Sequence, residues 1–246
     1  MNDQAATLYD ERFFQTIDQG SLRSAQVVAP VVYRLVPARR VVDVGCGTAA
    51  WAKAFRDLGA SDVEGWDGAT EPPSSFHLPR EAYRQVDLVR SPPADCRFDL
   101  AVCLEVAEHL PAQSANGLVA LLVGLAPVVL FSAAVPGQGG VGHLNEQWPE
   151  FWKSAFAAHG YACLDIIRES VWNDPRVEWW YRQNVFLFAG QEGLAQNAAL
   201  RAEADRPRAD DLQLVHSRIL DRVKSFRGLM RQLPGAFWTA LRRRFR

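Results

Sequence analysis

The sequence predicts an open, mostly parallel α/β sheet, and three observations carry the prediction. Short apolar runs rich in Val, Leu and Phe alternate with stretches of helical period; the first run leads into a glycine turn; and successive runs end in an acid. A chain of 246 residues can bury one sizeable core around such a sheet.

Thr7 to Val36 reads as two helices broken near Gly20-Ser21, with Ser21 as an N-cap. Phe13, Phe14 and Ile17 are expected to pack onto the sheet, and Tyr9 and Phe13 are candidates for substrate contact. Val41-Val42-Asp43-Val44 is the first strand, β-branched as a buried parallel strand should be. It runs into Gly45-Cys46-Gly47-Thr48, where glycine permits a tight turn and close approach of backbone to a ligand. Ala49 to Leu58 follows as a helix closed by Gly59. Asp62 to Asp67 is a second strand; its terminal acid, some 20 residues past the glycines, can take both hydroxyls of a ribose. Tyr83 to Leu88 is a third, with Asp87 near its end, Phe98 to Glu105 a fourth and Pro127 to Ser132 a fifth. Asn184 to Ala189 alternates as a later strand, and the aromatic run from Trp148 to Phe188 is mostly core, with Trp172-Asn173-Asp174-Pro175 able to line a pocket. Gln191 to Arg206 is alanine-rich and helical, and a second helical pattern starts after Pro207.

Gly45, Gly47 and Ala50 match a dinucleotide fingerprint only in part, because alanine stands where the third glycine belongs. The Asp-x-Gly-x-Gly pattern of Asp43, Gly45 and Gly47 resembles instead motif I of the class I S-adenosylmethionine-dependent methyltransferases. The resemblance covers residues 38 to 190 and implies a Rossmann-like, seven-stranded, mostly parallel sheet with helices on both faces and an antiparallel terminal hairpin. It implies helices in residues 1–37 that lid the substrate side; residues 191–246 read, from their own composition, as a helical basic C-terminal extension. By that resemblance S-adenosylmethionine would meet Asp43, Gly45, Cys46, Gly47, Asp67, Asp87, Leu88, Leu104 and Glu105, with Asp87 beside the adenine amino group. Glu105-Val106-Ala107-Glu108-His109-Leu110-Pro111 looks like the segment after strand four of methyltransferases similar to the ubiquinone-pathway O-methyltransferases. Phe131 through Trp148 resembles a bacterial group associated with glycan and secondary-metabolite gene clusters.

Methyl transfer to a hydroxyl needs in-line alignment and removal of a proton, a task for which histidine is well matched at neutral pH. Of five histidines, His159 follows a helix end as a cap, and His77 and His216 read as exposed. His109 and His143 follow strands whose carboxyl ends should flank the methyl group, and they are the catalytic candidates. Glycines at 137, 139, 140 and 142 would let the His143 loop move, and Asn145, Glu146 and Gln147 offer polar contacts to a hydroxylated acceptor. Glu105, Glu108 and His109 lie at i, i+3 and i+4, so one helical turn would present them together; with His143 they make a donor set suited to magnesium or manganese. The set resembles the Glu-x-x-Glu-His metal site of small-RNA 2′-O-methyltransferases, although methyltransferases similar to this one carry the same run without metal, Glu105 then reaching cofactor or capping a helix.

Charge and composition narrow the partners. A formal net charge of −1 gives no support to a nucleic-acid partner, and four scattered cysteines without a C-x-x-C pair argue against a disulfide framework. No stretch reads as a signal peptide or a membrane span, so the expected location is the cytoplasm. From Arg218 to Arg246, nine Lys or Arg stand against Asp221 alone, interspersed with Phe226, Leu229, Met230, Leu233, Phe237, Trp238 and Leu241; such a tail can lie on anionic lipid at the inner face of a membrane or dock on an acidic partner. The function expected is S-adenosylmethionine-dependent O-methylation of a hydroxyl on a sugar, glycan or related metabolite. Two alternatives stay open: methylation at nitrogen or carbon of a secondary metabolite, and a non-catalytic cofactor-binding protein with a basic interaction tail.

Overall fold

The structure is a computed structural model that describes residues 11–90, 96–206 and 212–219. Tyr9, the side chains of Phe13, Phe14 and Ile17, and the basic tail past Ile219 lie outside the described residues. The chain divides into two units, residues 1–213 and 214–246.

The first unit is built on a seven-stranded sheet. Its strands are β1 (Arg40–Val44), β2 (Asp62–Asp67), β3 (Tyr83–Gln85), β4 (Leu100–Leu104), β5 (Val128–Ser132), β6 (Ala162–Leu164) and β7 (Phe186–Ala189). They lie in the order β3-β2-β1-β4-β5-β7-β6. The first five are parallel, and β7 runs antiparallel between β5 and β6, which is the mostly parallel Rossmann-like arrangement with a terminal hairpin expected from the sequence. The order reverses between β1 and β4, so the carboxyl ends of these two strands flank the crevice where such sheets take ligands.

Alternation along the strands splits the core into two faces. Val41, Leu100, Val102, Val128, Leu130 and Leu187 face one side, where α1 (Glu11–Leu35) and α2 (Ala50–Asp57) cover them. Val42, Val44, Ala101, Cys103, Val129 and Phe131 face the other, under α3 (Ala115–Leu125) and α4 (Pro149–Ala157). Much of the aromatic run belongs here: Phe156 stacks on Phe188 at 3.9 Å between centroids, and Trp152 and Phe131 pack beside them. Each fully buried Phe or Leu contributes roughly 1.5–3 kcal/mol relative to exposure.

Local expectations for the N-terminal helix and for two histidines are corrected. The N-terminal segment is one helix, α1, that passes through Gly20. The Ser21 hydroxyl bonds the Tyr181 hydroxyl instead of capping. Ser24 Oγ donates to the Gly20 carbonyl and accepts from the Glu178 amide, and a Cβ on Gly20 would stand 3.0 Å from the Glu178 carboxylate. Gly20 therefore serves close packing of the 177–178 segment on an unbroken helix. The alanine-rich stretch is two helices, α7 (Gln191–Gln196) and α8 (Ala198–Ala204), because Asn197 Oδ1 accepts the Leu200 N–H and caps the second. Two short helices, α5 (Ile167–Val171) and α6 (Trp179–Asn184), bracket the Trp172–Pro175 turn between β6 and β7. His77 is half-buried and bonded to Asp18, and His216 is buried, its Nδ1 accepting from the Arg218 amide; neither is the exposed residue expected.

Candidate active site

The glycine turn is a chain of left-handed residues: Gly45 (φ 76°), Gly47 (φ 51°) and Ala49 (φ 59°). A Cβ on Gly45 would fall 2.5 Å from Val106 Cγ2, so the turn can approach the segment after β4 only where position 45 has no side chain. The turn is tied to the end of β2. Gly45 and Cys46 donate to the Trp66 carbonyl, and Gly47 N donates to Asp67 Oδ2 at 2.9 Å. The other oxygen of half-buried Asp67 accepts from Ala69 N at 3.2 Å, which fixes this carboxylate over the turn. Asp43 faces the other way. It is 3 % exposed, and Oδ2 accepts from Ala52 N in the first turn of α2 at 3.3 Å, so it anchors that helix instead of aiming at a cationic ligand. Burial pushes its pKa from 3.8 up to about 7; the Ala52 N–H opposes this, and Asp67 adds to it. Asp87 is exposed, its Oδ1 accepting from Val89 N, while Leu88 and Leu104 are buried beside the strand ends.

The second half of the site lies at the ends of β4 and β5. Glu105 takes a left-handed conformation (φ 56°), uncommon for a residue with a side chain, and its amide donates to Ser132 at the end of β5. The carboxylate accepts from Gln138 Nε2 at 2.8 Å and Asn184 Nδ2 at 3.0 Å. Burial raises its pKa, and these amide donors, Ser132 and His143 hold it back. Ala107–His109 forms a 3-10 turn, not a turn of α-helix. The Glu108 carbonyl accepts from Leu144 N and Asn145 N, which pins the loop after β5 onto that turn. His109 and His143 consequently meet edge to face, with ring centroids 4.9 Å apart. Burial, then His143, lower the pKa of His109 to about 4, so its imidazole is neutral at pH 7.

His143 is backed by a carboxylate. Its Nδ1 lies 2.8 Å from Glu146 Oε1, and the Glu146 carboxylate also accepts from Gly137 N and Gly139 N, both at 2.8 Å. The ring occupies the place where a Cβ on Gly140 would lie, 2.1 Å from Nε2. Beside this pair, Glu108 is fully buried, its carboxyl close to the Ala134 backbone and to Glu105, and Asn145 Nδ2 is buried without a hydrogen-bond partner. Burial, then the Glu105 charge, push the Glu108 pKa well up. Glu108, His109 and His143 each offer one ligand atom within 4.8 Å of the others. Glu105, the fourth residue expected in that set, is not among them; the 3-10 turn does not keep helical spacing, and Gln138 and Asn184 hold its carboxylate.

Residues 11–159 match a family described as a methyltransferase domain. The chain belongs to that family. It is an S-adenosylmethionine-dependent class I methyltransferase. Solved structures share the fold at low identity. A chain of the complex between the Haloferax volcanii Trm112 methyltransferase activator and a methyltransferase matches at TM-score 0.54 and 15% identity, over 77% of this chain and 98% of that one. CalS10, an amino pentose methyltransferase from Micromonospora echinaspora, matches at 0.50 and 22%, over 67% and 89%. The methyltransferase domain of a bacterial Hen1 matches at 0.50 and 18%, over 68% and 97%. No curated protein matches the sequence.

The residues of the methyltransferase fit its cofactor. Asp67 holds a fixed carboxylate beside the left-handed Gly45 and Gly47, an acceptor of the kind a cofactor's ribose hydroxyls would need. Residues that the sequence did not single out are Gln138 and Asn184, which hold Glu105, and Glu146 in its role as partner of His143. Only the last had a legible signal, an acid at i+3 from the candidate histidine. Asn184 precedes β7, and nothing in its neighbourhood of sequence says that this strand inserts beside β5.

Proposed function

We propose that this methyltransferase is an O-methyltransferase acting on a hydroxyl of a sugar, glycan or related metabolite. The pairing of His143 with Glu146 in the loop after β5, beside neutral His109 in the turn after β4, is the observation that carries the reading. S-adenosylmethionine supplies a sulfonium-bound methyl group. Asp67 and the glycine turn would hold the donor, and Gln138 and Asn184 fix the Glu105 carboxylate after β4. As the acceptor oxygen bonds to the methyl carbon and the carbon–sulfur bond breaks, the hydroxyl proton passes to His143 Nε2. Glu146 accepts from Nδ1–H, fixing the tautomer and stabilising the imidazolium that forms. CalS10, whose acceptor is an amino pentose, supports a saccharide among candidate acceptors.

The Glu108 carboxylate, gathered with the two histidines, favours a second reading of hydroxyl activation. A magnesium or manganese ion held by Glu108, neutral His109 and His143 would satisfy that carboxylate and lower the hydroxyl pKa directly.

One experiment separates these accounts: S-adenosylhomocysteine release is followed with a panel of hydroxylated acceptors, with and without EDTA, for the parent and His143→Ala. The expected result is a loss of about 100-fold or more in turnover for His143→Ala, with cofactor affinity by calorimetry unchanged. Indifference to EDTA removes the cation. Near-normal turnover of His143→Ala overturns the base and points to methylation at nitrogen or carbon.

A further inference from the structure

After Asp67 the chain leaves the sheet and returns only at the 3-10 turn Arg80–Ala82, and the intervening strap is bonded to the cofactor turn it passes. Its start is held at the end of β2: Ala69 N donates to Asp67 Oδ1, and the Ala69 carbonyl accepts the Tyr83 hydroxyl at 2.6 Å. Midway, Phe76 packs edge to face on Tyr83, centroids 5.6 Å apart, and reaches toward Gly65, where a Cβ would stand 3.3 Å from its ring. The next residue crosses to the glycine turn, His77 N donating to the Thr48 carbonyl at 2.9 Å. The strap then reaches α1 through the His77 side chain. A carboxylate can only accept, so Nε2–H donates to Asp18 Oδ1, at 2.8 Å. The two side chains are 22 % and 16 % exposed, drier than a surface pair whose geometry water and salt would undo. Since α1 packs on α2, the helix that opens at the glycine turn, this bond adds a side-chain tie from the strap to α1 across the turn.

We propose that Asp18 and His77 form a clasp that holds the strap against α1 and sets how fast cofactor enters and leaves the glycine turn. Neither residue touches a reacting atom in this account; both act by position, and the role is independent of the acceptor methylated. Opening the clasp frees the Phe76–His77 segment from α1 while Asp67 and the glycine turn keep their own bonds, so donor exchange quickens without loss of the site.

Displacement of bound S-adenosylhomocysteine in a stopped-flow instrument tests this on the full chain. Asp18→Ala and His77→Ala are each expected to speed dissociation about 5- to 10-fold, the loss of one partly dry, charge-assisted hydrogen bond. The double variant should dissociate no faster than the faster single, and Asp18→Asn, which keeps an acceptor, should fall between. Dissociation within twofold of the parent in both alanine variants overturns the clasp. So does a lower melting temperature of the cofactor-free protein with an unchanged dissociation rate, the signature of a merely structural tie. Should His77→Ala fail to fold, Asp18→Asn decides by the same rate.

Discussion

Asp43 ends a strand buried on both faces, and its charge is what that burial opposes. With the folded pKa raised from 3.8 to about 7, the folded protein binds more protons than the unfolded chain between those values. The stability contributed is fully present below about pH 4 and is lost as pH rises through about 7. Asp43→Asn mimics the protonated acid and keeps an oxygen for Ala52 N, so urea unfolding of cofactor-free protein should find the two equal near pH 4 and the variant more stable by about 2–4 kcal/mol at pH 8. Glu146 has the opposite employment, since every partner it holds donates to it. In Glu146→Gln an amide N–H would confront the Gly137 or Gly139 N–H, and turnover should fall about 10-fold while proteolysis between 137 and 142 quickens. The pairing of His109 with His143 was legible because each follows a strand that must end at the crevice. The partners of Glu105 were not, since Gln138 and Asn184 lie far apart in sequence and meet only through the order β5-β7-β6.

At the level of elements, the turns carry the specificity. Gly45→Ala would place Cβ against Val106 and force a side chain into φ 76°. A loss of about 2 kcal/mol or more by denaturant unfolding is expected, and adding Val106→Ala should recover only the steric part, leaving about 1 kcal/mol of backbone strain. Strand boundaries were legible because buried apolar runs and acids at or near the strand end coincide in β1, β2 and β4, and β5 is an apolar run ending at Ser132. The unbroken α1 was not: glycine normally weakens a helix, and the compensation, Glu178 seated where a Cβ would be, comes from a segment 158 residues away in sequence. Likewise the i, i+3, i+4 argument for Glu105, Glu108 and His109 presumed an α-helical turn. The 3-10 geometry of residues 107–109 kept Glu108 with the histidines and left Glu105 to its own donors.

For the molecule as a whole, binding of the methyl donor's product is linked to folding. S-adenosylhomocysteine at 100 times its dissociation constant should add about 2.7 kcal/mol and raise the melting temperature by roughly 5–10 °C, while NAD at equal concentration leaves it unchanged. Among the described residues no helix is long and apolar enough to cross a membrane. The same strand order that builds the crevice also decides what the sheet presents at its rims. The outermost strands, β3 and β6, are three residues each, whereas the longer, more apolar β4, β5 and β7 lie inside with both edges paired. Neither rim is long enough to template another chain's strand, so this sheet has little means of growing by edge-to-edge addition, the route by which open β structure commonly aggregates.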